Sequence, residues 1–203
     1  MTIFSRNTKN KNSNDDNKNW WQNQPMNYQW NEKNEWQSEM PNLNDLTSSF
    51  FDKLDNNFFN VCRKFVEKNS NPFDSMVHFS TLDNKKILEI GCGMGTHAEL
   101  FYKNIKNLDY TGVDITSKAV EFTKARFKLK NLTGNILQAD AGSLPFKNET
   151  FDYVWSRGVI HHSKDTEKII TEISRVLKPG GKCHIMIYNK NSTRYYIHGL
   201  YQG

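Results

Sequence analysis

The chain has 203 residues, a length that suits one domain or one domain with an appendage. Apolar residues make up 36% of it, against a usual share of about 45–50% with glycine included, so part of the chain is not expected to pack. The formal net charge of +5, from 27 basic and 22 acidic residues, is spread along the chain and gives no strong indication of a nucleic-acid partner.

Membrane, secreted and metal-bound classes are disfavoured. No stretch approaches the ~18–20 consecutive apolar residues of a membrane span, and the amino terminus lacks the apolar centre of a signal peptide. The default expectation is therefore a cytoplasmic protein. The cysteines Cys62, Cys92 and Cys183 are widely separated and form no Cys-x-x-Cys pair, so we expect neither a disulfide scaffold nor a metal site.

The chain begins with a polar tail. Residues 1–19 are rich in asparagine and lysine and have no apolar residue between Phe4 and Trp20, which predicts disorder. Four of the five tryptophans then fall within 20–36, and aromatic side chains this dense usually bury against other parts of a protein. This segment is therefore expected to dock on the body of the molecule.

An amphipathic helix is predicted over 44–68. Apolar residues recur there at every fourth position from Leu46 to Cys62, which gives one broad apolar face. Pro72 follows and favours an end to the helix before it. Together with the aromatic segment, this helix defines a cap over 20–80.

Short apolar strands alternate with amphipathic helices from Lys86 onward. The predicted strands are 87–90, 110–115, 135–139, 151–156 and 183–188, and the predicted helices are 96–106, 117–130 and 165–177. Ser117 is a suitable N-cap, and Lys178-Pro179-Gly180-Gly181 is a strong stop after the last helix. The alternation predicts an α/β fold, a Rossmann-like doubly wound and mostly parallel sheet, with ligand chemistry at the carboxyl ends of the strands.

A glycine-rich loop follows the first predicted strand. It reads Glu89-Ile90-Gly91-Cys92-Gly93-Met94-Gly95-Thr96. Gly91 and Gly93 allow a tight turn and close approach to a ligand, and Gly95 allows the next helix to pack near the strand. The dinucleotide fingerprint would require glycine where Thr96 stands. The Glu89 carboxylate disfavours a pyrophosphate and suits a cationic group such as an amino-acid ammonium.

Two further carboxylates end the second and third strands. Asp114 lies about 20 residues beyond the loop, where an acidic side chain is expected to accept hydrogen bonds from a ribose. Asp140 could accept a hydrogen bond from an exocyclic amine such as that of adenine. Carboxylates for an ammonium, a ribose and an adenine together describe S-adenosylmethionine.

At this point the chain resembles the class I S-adenosylmethionine-dependent methyltransferases, within them the broad small-molecule group that includes quinone-biosynthesis enzymes. The resemblance rests on ordered motifs over about 86–189: Ile87–Gly95, Gly112–Ile115, Gln138–Ala141 with Leu144-Pro145-Phe146, Phe151–Val154, Gly158–His162, and Arg175–Gly181. It implies S-adenosylmethionine as the cofactor and transfer of a methyl group to an O, N or C nucleophile of a small molecule.

The resemblance also implies roles for individual residues. The methionine part of the cofactor would lie along Glu89, Gly91, Gly93 and Thr96, with Cys92 as a small space-filling residue in the same loop. The ribose and adenine would meet Asp114 and Ile115, and the adenine would also meet Asp140 and Ala141. The cofactor side of the reaction pocket would be lined by Arg157. His161 and His162 are candidate general bases, although the group often carries this pair whatever it methylates.

The cap is a candidate lid and substrate wall. We expect Trp20, Trp21, Tyr28 and Trp30 to lie over the strand ends, with simple packing on the outside of the body as the alternative. A quinone, a sugar, a lipid-linked precursor or another small metabolite all remain possible acceptors. Two other functions stay open: a non-catalytic interaction module that keeps the cofactor fold, and a nucleotide-dependent oxidoreductase.

The carboxyl end departs from the family pattern. Family members continue after the fifth strand through a further helix and a β-hairpin, for which 189–203 is too short. The cofactor-binding domain over 81–203 is therefore expected to be incomplete after the fifth strand. Either the chain is a fragment of a longer protein, or a partner completes the sheet edge, since an uncovered edge strand invites pairing.

Overall fold

The computed structural model describes residues 14–23, 41–63, 73 and 76–187. The strands are β1 (Lys86–Ile90), β2 (Asp109–Asp114), β3 (Asn135–Gln138), β4 (Phe151–Arg157) and β5 (Leu177–Met186), and the helices are α1 (Asn14–Asn23), α2 (Ser48–Arg63), α3 (Thr96–Asn104), α4 (Ser117–Leu129) and α5 (Thr166–Val176). All four strand pairings are parallel, in the order β3-β2-β1-β4-β5. The predicted α/β class with a mostly parallel sheet is confirmed.

The central strand β1 is buried on both faces, as expected for a parallel sheet covered by helices. Ile87 packs with Phe101 of α3 in one core cluster, while Leu88 packs with Ile173 of α5 in another. Successive side chains of a strand point to opposite faces, so the apolar run in β1 serves both clusters. The loop that follows β1 therefore lies between two layers of helices.

The elements predicted from residue 86 onward are confirmed to within one or two residues at most ends. One helix start differs, because Thr116 rather than Ser117 is the N-cap of α4. The Thr116 hydroxyl accepts a hydrogen bond from the backbone N–H of Ala119 at 3.3 Å. Among the described residues, no helix combines the length and apolarity needed to cross a bilayer.

The fifth strand is longer than predicted, and the expected stop at 178–181 lies inside it. Leu177 pairs with Phe151 and Lys182 pairs with Tyr153, with a register shift between these pairs. The residues between Leu177 and Lys182 thus form a bulge, in which one strand carries extra residues against its partner. Helix α5 ends at Val176, so the predicted stop of this helix is confirmed, and the proline and glycines lie in the bulged part of β5.

The amino-terminal prediction needs a correction. Residues 14–19, expected to belong to a disordered tail over 1–19, form the first part of α1, while 1–13 lie outside the described residues. Tertiary contacts explain the helix. Gln22 donates a hydrogen bond from Nε2 to Ser117 Oγ at 3.2 Å, and the ring of Trp21 lies 5.0 Å from that of His162.

Helix α2 is shorter than the predicted 44–68. It covers Ser48–Arg63, is preceded by a 3₁₀ turn at Leu43–Asp45, and 64–68 lie outside the described residues. Its apolar face packs on the body as the four-residue spacing predicted: Leu54 joins a cluster with Phe122 of α4, and Phe58 joins the larger cluster beside α3. This packing places α2 beside the carboxyl ends of the strands.

Candidate functional site

A cavity of about 500 Å³ opens at the carboxyl ends of the strands. It extends from the loop after β1 toward both edges of the sheet. One side is walled by residues at the ends of β2 and β3, the other by residues at the ends of β4 and β5, and α1 and α2 cover it. The position agrees with the rule that ligands of open α/β sheets bind outside the carboxyl ends of the strands.

The glycine-rich loop forms the middle of the cavity floor. Gly91, Gly93 and Gly95 have φ values of +77°, +53° and +77°, a region that L side chains rarely adopt. A Cβ on Gly91 would lie 2.3 Å from Cγ2 of Val159, whereas a Cβ on Gly93 would meet nothing within 4 Å. The loop is thus tightly packed below Gly91 and open to a ligand at Gly93.

The carboxylate of Asp114 is oriented by three hydrogen bonds. Its Oδ2 accepts from the backbone N–H of Gly93 at 3.1 Å, and its Oδ1 accepts from the N–H and the hydroxyl of Thr116 at 3.0 and 2.9 Å. Burial raises the pKa of this carboxyl, and the hydrogen bonds from Thr116 and Gly93 oppose that rise. Because a carboxylate can accept about four hydrogen bonds, Asp114 keeps capacity for a ligand hydroxyl.

The residues predicted to meet adenine lie on the cavity wall, and their contact with adenine stays a prediction. Ile115, Asp140 and Ala141 line the cavity at the ends of β2 and β3. Oδ1 of Asp140 accepts a hydrogen bond from the N–H of Gly142 at 2.8 Å, which fixes the turn after β3. Asp114 and Asp140 are the two acidic side chains on the described cavity wall.

Glu89 is not on the cavity wall. Its side chain is 1% exposed, and its two oxygens are held from different sides. Oε1 lies 2.9 Å from Nδ1 of His97, and Oε2 accepts a hydrogen bond from the hydroxyl of Tyr110 at 2.6 Å. The structure therefore places Glu89 behind His97, which does line the cavity, and the expected contact of Glu89 with an ammonium stays a prediction.

The end of the cavity beside β4 and β5 is apolar and contains one guanidinium, that of Arg157. Arg157, at the end of β4, lies with Cζ 4.8 Å from the ring centroid of Phe73 and 5.6 Å from that of Phe58. Its Nη2 donates to Sγ of Cys62 at 3.8 Å. Burial raises the pKa of the Cys62 thiol, and the nearby guanidinium acts against that rise. Met186, at the end of β5, completes this wall.

The two candidate bases differ in position. His162 lines the cavity, whereas His161 does not, although their ring centroids are only 4.1 Å apart. Burial and the neighbouring His161 lower the pKa of His162 to about 4, and burial lowers the pKa of His161 as well. Both imidazoles are therefore neutral at neutral pH.

The structure divides the predicted lid residues. Trp21 lines the cavity and packs edge-on against His162, with ring centroids 5.0 Å apart. Trp20 is 48% exposed and contacts Trp21 but does not reach the cavity. Tyr28 and Trp30 lie outside the described residues.

Sequence reasoning missed several residues of the cavity wall. They are Asn17 of α1, Leu54, Phe58 and Cys62 of α2, His97 of α3, and Met186 of β5. The predicted cap includes α2 as a candidate substrate wall, but the four-residue spacing could not show which of its side chains bound the cavity. His97 follows the loop motif by two residues, and only its contact with Glu89 distinguishes it from an ordinary helix residue.

Comparison with known proteins gives a consistent picture. Residues 88–185 match the family model described as a methyltransferase domain. A fatty-acid O-methyltransferase of Mycolicibacterium smegmatis is 33% identical over 116 residues, which are 57% of this chain and 40% of that protein. A phthiotriol/phenolphthiotriol dimycocerosates methyltransferase of Mycobacterium tuberculosis is 33% identical over 100 residues, 49% of this chain and 36% of that protein. The chain thus matches less than half of the length of each of these two relatives.

The fold is shared with solved structures. A SAM-dependent methyltransferase from Aquifex aeolicus superposes with a TM-score of 0.53 at 18% sequence identity, over 66% of this chain and 69% of that one. At this level of identity the similarity shows the fold alone.

Proposed function

We propose a function from the premise that residues 88–185 of this chain belong to the methyltransferase domain family: transfer of a methyl group from S-adenosylmethionine to a small-molecule acceptor. The observation that carries the proposal is the joined geometry of the glycine-rich loop and Asp114. The loop leaves Gly93 open toward the cavity, and the N–H of Gly93 holds the Asp114 carboxylate at the same place.

The described residues fit this cofactor. The cavity of about 500 Å³ lies within the range of roughly 300–1,000 Å³ that small-molecule sites occupy. Asp114 retains acceptor capacity for ribose hydroxyls, and Asp140 with Ala141 and Ile115 would hold the adenine. The methionine part would lie along Gly91, Gly93 and Thr96.

The protein's part in such a reaction is orientation and exclusion of water. The cofactor supplies a sulfonium that already activates the methyl group, so no cofactor-activating residue is required. Holding two reactants close together in the right orientation can lower the activation barrier by about 7–11 kcal/mol. Helices α1 and α2 support a lid that excludes water, since Trp21 and Phe58 reach the cavity from outside the sheet.

A committed general base is not part of this proposal. An efficient general base has a pKa near the working pH, and the pKa of His162 is lowered to about 4. His162 is thus a weak base at neutral pH, which favours a role as a neutral wall residue packed on Trp21. His161 lies outside the cavity wall and would act through His162.

The apolar wall near α2 favours an acceptor with a substantial apolar body. Phe58, Cys62 and Met186 contribute side chains to it. The names of the two relatives given above both denote lipid substrates, a fatty acid and a phthiotriol derivative. We therefore place this chain's acceptor among small lipids or lipid-like molecules rather than sugars.

Titration calorimetry with S-adenosylhomocysteine tests the proposal. The full chain should bind it, and Asp114→Asn should weaken binding by about 10- to 100-fold, because hydrogen bonds to a charged group contribute about 1.5–3 kcal/mol. Asp109→Asn is the matched control, since Asp109 is exposed at the opposite end of the same strand. Absence of binding by the folded chain, or preferential binding of NAD, would contradict the proposal.

A further inference from the structure

Arg157 is a half-buried cation in an apolar part of the cavity. Its guanidinium contacts the rings of Phe58 and Phe73 and the sulfur of Cys62. Among the described residues no carboxylate lies within 4.0 Å of it, and it is the one lysine or arginine side chain on the cavity wall. A half-buried guanidinium so placed strongly attracts an oxyanion.

The two carboxylates on the cavity wall lie at the carboxyl ends of other strands than Arg157. Asp114 and Asp140 follow β2 and β3, whereas Arg157 ends β4, and β1 lies between the two sides. Neighbouring strands are about 4.8 Å apart, so the ends of β2 and β4 are separated by roughly 10 Å. The carboxylates that would hold ribose and adenine are therefore not placed to neutralise Arg157.

The groups around Arg157 are neutral. Burial lowers the pKa of His184 on β5, and the charge of Arg157 lowers it further. Burial also raises the pKa of the Cys62 thiol, which therefore stays protonated at neutral pH. The aromatic contacts lie near the guanidinium carbon and provide no negative charge. The positive charge at this end of the cavity remains available to a ligand.

We propose that the cavity end beside α2 binds the methyl acceptor through an oxyanion, held by Arg157, with the acceptor's apolar body against Phe58, Cys62 and Met186. This inference rests on the function proposed above and narrows its substrate class to anionic amphiphiles. The planar guanidinium offers two parallel N–H groups, which suit a carboxylate or a phosphate in the same way.

Binding measurements on the full chain test the inference. We would titrate the chain, with and without S-adenosylhomocysteine, with four probes of closely matched chain length: dodecanoate, dodecyl phosphate, methyl dodecanoate and dodecylamine. An oxyanion probe should bind at least about 10-fold more tightly than the ester and the amine, because charge-assisted hydrogen bonds are about twice as strong as neutral ones. The tighter of the two anionic probes identifies the headgroup as carboxylate or phosphate.

Three variants locate the effect. Arg157→Gln should weaken binding of the preferred anion by about 10- to 100-fold and leave the ester unchanged. Arg157→Lys should retain part of the affinity, because it keeps the charge but loses the planar fork. Lys124→Gln makes the same change of charge at an exposed position of α4 and should have no effect. A far-UV circular dichroism spectrum and a urea unfolding midpoint like those of the wild-type chain would show that the Arg157→Gln variant folds.

Two results would overturn the inference. One is equal binding of amine, ester and anions by the wild-type chain, which would make this end merely apolar. The other is a loss of affinity of Arg157→Gln for S-adenosylhomocysteine but not for 5′-methylthioadenosine, which would assign Arg157 to the cofactor's carboxylate. Both leave the proposed function standing, whereas failure of the wild-type chain to bind S-adenosylhomocysteine would count against that function itself.

Discussion

Single residues in the loop after β1 make separable contributions to stability. Gly91 has a φ of +77°, and a Cβ added to it would lie 2.3 Å from a methyl group of Val159. Gly93 has a φ of +53°, and a Cβ added to it would meet nothing within 4 Å. A left-handed conformation costs an L residue roughly 1–2 kcal/mol. We expect Gly93→Ala to lose about that much free energy of unfolding, and Gly91→Ala to lose about 1–3 kcal/mol more from overpacking.

Urea unfolding of the two alanine variants measures this difference. Val159→Ala combined with Gly91→Ala provides the internal control, because shortening Val159 removes the methyl groups that the new Cβ would meet. The double variant should recover part of the loss. Equal destabilisation by Gly91→Ala and Gly93→Ala would show that backbone conformation alone explains the glycine at 91.

Residue types in this loop could be predicted from sequence, but their partners could not. The strand-loop-helix context identified Gly91 and Gly93 as turn positions, and the structure confirms a positive φ at both. Asp114 lies on the cavity wall, and its predicted contact with a ribose stays a prediction. The carboxylate of Glu89 is instead held by His97 and Tyr110. Side-chain partners across neighbouring strands depend on packing, which one-dimensional spacing does not encode.

Between elements, a buried ion pair connects α2 to the helices that pack on the parallel sheet. Arg126 of α4 is 0% exposed and donates to both oxygens of Asp55 on α2 at 2.8 and 2.9 Å, and to Glu99 of α3 at 3.1 Å. Its guanidinium carbon also lies 4.4 Å from the ring centroid of Phe51. Since α2 supplies part of the cavity wall, this contact ties the cap to the site.

Removing Arg126 should therefore be costly. Arg126→Met leaves the Asp55 carboxylate buried without its cation, a change that typically costs about 3–5 kcal/mol. Burial already raises the pKa of Asp55 against the opposing effect of Arg126, so removal of Arg126 would raise this pKa further. Arg126→Met with Asp55→Leu should recover most of the loss in a chemical denaturation experiment. No recovery in the double variant would mean that Arg126 acts mainly through Glu99.

Elements with strong periodicity could be predicted and elements held by tertiary contacts could not. The strands and helices from residue 86 onward follow apolar patterns that match their burial, and they are confirmed. Helix α1 was missed because its sequence is polar and its packing depends on Trp21 and Gln22 meeting α4 and His162. The bulge at 178–181 was missed because proline and glycine favour a break as readily as a bent strand.

At the scale of the whole molecule, buried histidines make stability depend on pH. Burial lowers the pKa of His162 to about 4 and also lowers the pKa of His161 and His184. In the unfolded chain these groups titrate near pH 6.5, so between about pH 6.5 and 4 the unfolded state binds more protons than the folded state. The free energy of unfolding must then fall as the pH falls through this window. Above it, these histidines add no pH dependence to the stability.

The measurement is the free energy of unfolding by urea at several pH values between 7.5 and 4.5, which cover most of the window from about pH 6.5 to 4. Carboxyls with raised pKa values, Asp55 and Asp114, act in the opposite direction because the folded state holds their protons more tightly. The His162→Gln variant keeps both carboxyls, so its difference from the wild-type chain reports the histidine alone. His162→Gln should make the decline in this window shallower, while His78→Gln, an exposed position, should leave it unchanged. A wild-type stability that rises on acidification from pH 7 to about 5 would show that raised carboxyl pKa values, and not buried neutral histidines, control the molecule's response to acid.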